Sequence, residues 1–354
     1  MLSALPADTT KVSLYYLNQV AEILRSHQVS VTQWLSNEGL SEKALYDSRC
    51  LVDVTTYCRL VSSAIELSKL PHLGLIVGAQ LSINHHGALG FALLNCGSIR
   101  DMLAVFHRYL VTRTPLFKLQ VLRHERTTEV FLDSFVVLPE LLRPLTEVLI
   151  STFVATVHSA SSRINSNSDI ASIENAVIRQ ISFSYAQPDY LEKYQQLLNC
   201  PMSFAKNRTC ITLNNALVDQ QLRAVDQNSL FQAKQFCEQE LALVSAHASW
   251  RSKVLMQIIS RPEQYPDINV IADALHVSSR TLHRHLCSEG THFKQIVEQT
   301  LASLAKQYLH EKTSTIKVVA YRLGYSDVAN FRRAFKRWTG RTPQNYILEC
   351  EQAK

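Results

Sequence analysis

A mixed α/β N-terminal domain followed by an all-α C-terminal domain, itself built of two helix-turn-helix units joined by a helix, is the architecture the sequence predicts. Three observations carry that expectation. Helical and strand-like periodicities alternate through the first two-thirds of the 354 residues, one apolar spacing pattern occurs twice 48 residues apart in the last third, and positive charge gathers in that same last third.

VSLYYLNQVAEILRSH (12–27) and VDVTTYCRLVSSAIELS (52–68) place apolar residues every three or four positions, with Ser, Thr or Asp near their starts. Residues 11–70 therefore read mainly as helices. Residues 73–95 are apolar but punctuated by Gly74, Gly78, Gly87 and Gly90; these match neither a dinucleotide loop nor a phosphate loop, and close packing and turns explain them. A helix follows Ser98, with Ile99, Met102, Leu103 and Phe106 on its buried side. The period then changes: FKLQVLRH (117–124) and TTEVFLD (127–133) read as two strands, followed by a long apolar helix over residues 138–161. Strand patterns return at AVIRQISFSY (176–185) and CITLNNALVD (210–219), with a helix at PDYLEKYQQLLN (188–199) between them. ELALVSAHASWRSKVLMQIISRP (240–262) reads as one helix ending before Pro262, and the domain boundary is set near Ser245, giving domains 1–244 and 245–354.

A composition of 46% hydrophobic and 19% charged residues fits a globular protein of two ordinary domains. The N-terminus lacks a basic segment followed by a clean apolar run, and the most apolar stretches are broken before they reach membrane-spanning length; a cytoplasmic chain with no membrane partner is expected. The eight cysteines are scattered with no CxxC pair, as expected of free structural thiols in a reducing compartment. In the N-terminal domain no catalytic constellation is found. The adjacent His85 and His86, with Asp101 beyond them, match no hydrolytic or metal spacing and read as turn or surface residues, and Arg123, Glu125, Arg126 and Glu129 read as solvated hairpin charges. No metal site and no cofactor are expected.

Charge separates the two domains. Residues 251–354 carry 16 Lys/Arg against 9 Asp/Glu, while residues 1–250 carry 20 against 21, so only the C-terminal domain is suited to a polyanion. In that domain Ile268, Ile271, Ala272 and Leu275 fall at i, i+3, i+4 and i+7, and Ile316, Val319, Ala320 and Leu323 repeat the spacing. Turns follow at HVS (276–278) and GYS (324–326), with Val277 and Tyr325 filling the corner and Ser278 and Ser326 placed to cap the next helix. In the helix at 279–287, Leu282 and Leu286 face the core, which turns Arg280, His283 and Arg284 outward together. In the helix at 327–338, Phe331, Phe335 and Trp338 face the core and leave Ala329, Asn330 and Arg333 outward. Arginine can read guanine bidentately, asparagine can read adenine, and an apolar surface can touch a thymine methyl, so these outward residues are base-contact candidates for double-stranded DNA. Lys336, Arg337 and Arg341 lie toward the end of the second unit and suit phosphates better than bases. THFKQIVEQTLASLAKQYLH (291–310) supplies a helix that fixes the separation of the two units. An enzyme with an accessory DNA-binding tail and an architectural DNA-binding protein are the readings that compete with a sequence-reading regulator.

The C-terminal hundred residues resemble the AraC/XylS family of bacterial transcription regulators. IKVVAYRLGYSDVANFRRAFKRWTGRTPQNYI (316–347) carries the resemblance, with Ala320, Leu323, Gly324, Tyr325, Ser326, Asn330, Phe331, Arg333, Phe335, Lys336, Gly340, Pro343 and Tyr346 where that family has its characteristic residues. The resemblance implies that both units contact DNA, that Arg280, His283 and Arg284 are the readers of the first and Asp327, Ala329, Asn330 and Arg333 those of the second, and that Asn330 has an alternative role in supporting the helix. One departure is His276, where the second unit has Gly324. The N-terminal half, including LGLIVGAQLSINHHGALGFALLNCGS (73–98), looks like the domain of a subgroup containing regulators of ornithine or arginine metabolism and of virulence or quorum sensing. That implies an effector-sensing or dimerisation domain, an unidentified small-molecule effector, a homodimer through this domain, and RNA polymerase as a partner at promoter DNA in the nucleoid. Activation is favoured by the resemblance; the sugar-binding barrel of the arabinose regulator is not expected, because the early residues are too helical.

Overall fold

A computed structural model describes residues 11–47, 50–134, 141–164, 176–223, 225–247, 249–259, 265–310 and 315–352. The chain divides into two compact units, the first built on Met1–Ser134, Leu138–Phe204 and Arg208–Val244 and the second mainly on Ser245–Lys354, with Ala205–Asn207 grouped with it.

The described part of the first unit opens with a strand rather than a helix. β1 (Lys11–Ser13) pairs antiparallel with β2 (Leu51–Asp53), Val12 opposite Val52, and both valines are buried. Asp53 then accepts the Thr56 N–H and starts a helix, so the helical stretches begin later than their apolar spacing predicted. They are α1 (Leu17–Ser26), α2 (Val31–Ser36) and α3 (Val54–Ser68). The glycine-punctuated segment forms α4 (Leu73–Gln80), a short turn of tighter helix (Ile83–His86) and α5 (Gly87–Leu94), followed by α6 (Ile99–Tyr109), which Ser98 caps. α7 (Leu142–Ser161) carries most of the helix expected over residues 138–161; residues 135–140 lie outside the described residues. α4 lies directly on α7: a Cβ at Gly74 would sit 2.3 Å from the Pro144 carbonyl oxygen, and one at Gly78 2.3 Å from that of Val148. Only glycine allows that approach.

The sheet comprises β3 (Phe117–Arg123), β4 (Thr127–Ser134), β5 (Ile178–Ser182), β6 (Met202–Ser203) and β7 (Thr209–Asn214) in the order β3-β4-β7-β5-β6, with β5 and β6 parallel and the other pairs antiparallel. α8 (Leu191–Leu198) lies between β5 and β6 in sequence. The strand expected over 210–219 stops at Asn214, whose side chain caps α9 (Asn215–Val218) by accepting the Ala216 N–H, while the Asn215 amide closes the β3–β4 turn by donating to the His124 carbonyl at 2.8 Å.

The helix expected over 240–262 is two helices, α10 (Gln227–His247) and α11 (Trp250–Ile259). Apolar spacing runs across the break, but the Ser249 hydroxyl accepts the Ser252 N–H and the Glu289 carboxylate accepts those of Trp250 and Arg251, which starts a new helix there. The second unit continues with α12 (Ile268–Ala274), α13 (Ser279–Ser288), α14 (Phe293–His310), α15 (Ile316–Arg322), α16 (Val328–Thr339) and α17 (Pro343–Gln352), packed on one core that includes Val254, Ile258, Leu301 and Leu309. The mixed α/β and all-α classes expected of the two regions are the ones observed. No single helix among the described residues is long and apolar enough to cross a membrane; α3 and α4 together reach that length but are bent 104° to one another.

Candidate nucleic-acid interface

Two helix pairs in the second unit are built by the same local rules. Asp267 accepts the N–H groups of Asn269 and Val270 to start α12, and Thr315 accepts that of Val318 to start α15. On α12 Ile271 and Ala272 are buried, with Ile268 and Leu275 half-buried beside them; on α15 Val319, Ala320 and the following Leu323 are buried, with Ile316 half-buried. Both turns then take one shape. His276 and Gly324 occupy the left-handed region, at φ 56° and 77°, and the next residues, Val277 and Tyr325, send their N–H groups back to the Ala272 and Ala320 carbonyls at 3.0 Å each. The histidine that departs from the pattern thus adopts the backbone of the glycine, at a cost on the order of 1 kcal/mol.

The caps of the second helices differ. Ser278 starts α13 by accepting the Thr281 N–H at 3.1 Å, as its position suggested. Ser326 does not do the same for α16: Asp327 is the cap, with its carboxylate accepting the N–H groups of Ala329 at 3.0 Å and Asn330 at 3.3 Å. Two cap-forming residues stand side by side, and the carboxylate, which can take two donors and favours the positive helix end, wins. Both oxygens of this base-contact candidate are therefore engaged by its own helix.

Leu282 and Leu286 of α13, and Phe331 and Phe335 of α16, are fully buried, with Trp338 half-buried. Their helices consequently expose Arg280, His283 and Arg284 on one and Ala329, Asn330 and Arg333 on the other. Arg333 donates to the Asn330 side-chain oxygen at 2.6 Å, one turn away. Lys336 and Arg341 are exposed, while Arg337 donates to Glu298 of α14 at 2.9 Å with its side chain still 61% exposed. Arg332 was missed from the sequence; it is exposed on α16 and shares a face with Lys336 four residues on, a pairing of cations that was there to be read. α14 links the pairs and spans about 27 Å at the standard helical rise.

In the first unit an apolar cavity of about 120 Å³ is walled by α1, α3, α4, α7, β3 and β4, with Val61, Phe106, Leu132 and Phe153 among its lining. Tyr16, His86 and Arg113 bring polar groups to it. His86, expected on a turn or surface, is in a turn but buried; its Nδ1 lies 2.9 Å from the Tyr16 hydroxyl and its Nε2 has no partner among the described residues. Burial, reinforced by the Arg113 charge, pushes the imidazole down to about 4, which keeps it neutral at neutral pH. Arg113 forms an ion pair with Glu240 of α10, and its buried Nε has no partner among the described residues. No local motif announces this site, because its walls come from segments far apart in sequence.

A duplicated helix-turn-helix on a basic all-helical unit, preceded by an α/β unit, defines a DNA-binding transcription regulator. The chain belongs to the AraC/XylS-type transcription regulators: the family model described as "Arabinose-binding domain of AraC transcription regulator, N-term" matches residues 29–222, and that described as "Helix-turn-helix domain" matches residues 271–348. It is similar to the ornithine utilization regulator of Pseudomonas aeruginosa, 24% identical over 345 residues that cover 93% of this chain and 98% of that one. It is likewise similar to the transcriptional regulator VirS of Mycobacterium tuberculosis, 25% identical over 287 residues and 81% of each chain. The N-terminal unit is thus related to those of the ornithine and virulence regulators. A solved structure, the transcriptional regulator CdpR from Pseudomonas aeruginosa, is 20% identical with a TM-score of 0.45 and covers 94% of this chain and 98% of its own. These relatives are transcription regulators, not members of catalytic families. The described sheet is open and the cavity is lined mainly by aliphatic and aromatic side chains, so the sugar in the family model's name is not carried over to this chain.

Proposed function

We propose that this chain is an effector-responsive activator that reads promoter DNA in the bacterial cytoplasm and nucleoid through α13 and α16. Residues 245–354 act as the DNA-binding domain and residues 1–244 as the effector-sensing or dimerisation domain. The observation that carries the reading is the matched pair of exposed helical faces, Arg280, His283 and Arg284 on one and Ala329, Asn330 and Arg333 on the other, each backed by the same turn geometry. Lys336, Arg337 and Arg341 contact phosphates, and α14 spaces the faces for successive major-groove segments of one duplex. Asp327 serves this surface as the cap that orients α16 rather than as a reader of bases.

The cavity supports the effector part of the proposal. Its apolar walls and the Arg113 guanidinium suit an apolar molecule with an anionic group, and such a group would compete with Glu240 for Arg113 and so loosen α10, the helix that leads to residue 245. Phe236 and Leu243 are exposed two turns apart on α10 and offer an apolar stripe for a second copy of the chain. Activation, with RNA polymerase as the partner, follows the family resemblance.

Selection of binding sites from a random duplex pool, followed by affinity measurements on Arg284→Ala and Arg333→Ala, tests the reading. Loss confined to preferred sites is expected; equal loss on every sequence would mean phosphate contacts only and would sink base recognition. For the effector, ligands that raise the melting temperature must also shift affinity for the selected duplex, and Arg113→Met must abolish both effects.

A further inference from the structure

We propose that His283, Cys287 and His292 form a zinc site on the exposed surface at the end of α13. His283 and Cys287 are four residues apart on the helix and so lie one above the other on a single face. The third residue comes from beyond the helix end. Gly290 turns the chain at φ 70°, the Thr291 N–H bonds back to the Leu286 carbonyl at 3.0 Å, and buried Thr291 anchors the reversal that brings His292 over Cys287.

The resulting spacing suits the metal. The Cys287 sulfur lies 3.6 Å from His283 Nδ1 and 3.5 Å from His292 Nδ1, and the donor atoms of all three residues fall within 4.8 Å of one another. Tetrahedral zinc with its usual bonds to sulfur and imidazole nitrogen separates those two atoms by about 3.6 Å. One thiolate and two imidazoles form a borderline-soft set that favours zinc over magnesium or calcium, and because all three residues are exposed a fourth position stays open to water. On binding, the Cys287 thiol gives its proton to solvent and the S–Zn bond forms, which leaves the occupied site with one net positive charge. No CxxC or HxxxH signature announced these residues, since the set straddles a helix end.

His283 is also one of the outward residues of α13, so a ring held against Cys287 by zinc is withdrawn from the groove. This consequence rests on the DNA-reading role of α13; the metal site itself does not.

Cobalt(II) titration of the full-length protein tests the site, because cobalt adopts zinc's geometry and gives a thiolate-to-metal absorption band. The band should saturate at one equivalent, be displaced by zinc, vanish in Cys287→Ser, and in His292→Ala appear only with an affinity for cobalt about tenfold or more weaker. Circular dichroism and melting temperature of both variants, whose substituted side chains are exposed, should match the parent. A missing band, a band that persists in Cys287→Ser, or occupation by copper(I) with no uptake of cobalt or zinc would overturn the assignment. In a second arm, zinc should lower the parent's affinity for the selected duplex and leave that of His292→Ala unchanged. Equal affinity with and without zinc, alongside an intact cobalt band, would overturn the link to DNA but not the metal site; absence of any sequence preference in zinc-free protein would instead overturn the reading role of α13.

Discussion

On α16 the Arg333 guanidinium donates to the Asn330 side-chain oxygen at 2.6 Å, so these two exposed polar groups of the helix are held as one unit. Arg333→Ala should remove about 1–3 kcal/mol of preference for the selected duplex over a scrambled one. Asn330→Ala, which frees the arginine without deleting it, should reduce the same preference by less. Competition binding with both duplexes decides the matter; a loss in Asn330→Ala that is equal on the two sequences would assign the asparagine to helix support alone.

Asp327 offers a way to separate capping from reading. Removing its two bonds to the Ala329 and Asn330 N–H groups in Asp327→Ala should lower stability by about 1 kcal/mol, whereas Asp327→Ser should retain most of it. Chemical denaturation measures both. If the serine variant is fully stable yet loses sequence preference, the carboxylate reads DNA after all.

The two left-handed turn residues should respond unequally to substitution. Gly324→Ala forces a Cβ into a φ of 77° and should destabilise the second unit by about 1–2 kcal/mol. His276→Gly relieves the corresponding strain at φ 56° but adds freedom to the unfolded chain, so its net effect should be within about 1 kcal/mol of zero. Unfolding curves in which Gly324→Ala is neutral would contradict the turn assignment.

Glu147 on α7 links stability to pH. It is fully buried, accepts hydrogen bonds from the Tyr190 and Tyr194 hydroxyls at 2.8 and 2.7 Å, and is pushed up by burial from 4.5 to about 7, against those hydroxyls, which favour its ionised form. Between those values the folded chain holds a proton that the unfolded chain has released, so stability falls as pH rises through the window and levels off above it. A shift of this size corresponds to about 3 kcal/mol. Glu147→Gln should flatten that fall in unfolding experiments from pH 5 to 8. His86 works in the opposite sense: its depressed folded value contributes stability above 6.5 that is lost as pH drops toward 4. An unchanged slope in Glu147→Gln would show that the carboxyl is solvated.

The parts of this fold that were legible in sequence are those set by spacing within one segment. The stripes at Ile268–Leu275 and Ile316–Leu323 in the sequence mark helices whose buried sides are dictated by the 3.6-residue repeat, and the outward faces of α13 and α16 follow by subtraction. What escaped was settled by partners far along the chain. Strands β1 and β2 are three residues each, too short for alternation to show, and exist because Val12 meets Val52. The break before α11 was hidden because its caps include Glu289, 39 residues away from Trp250. His86 looked polar, yet burial beside Tyr16 makes it a wall of the cavity.

Glu289 stands at the C-terminal end of α13 and grips the first two N–H groups of α11, and the Trp250 ring stacks on His285 of α13 with centroids 4.3 Å apart. The beginning of α11 and the end of α13 are consequently joined at two points. A substitution at Glu289 would therefore act on both helices at once, removing the cap of α11 and one of its two ties to α13.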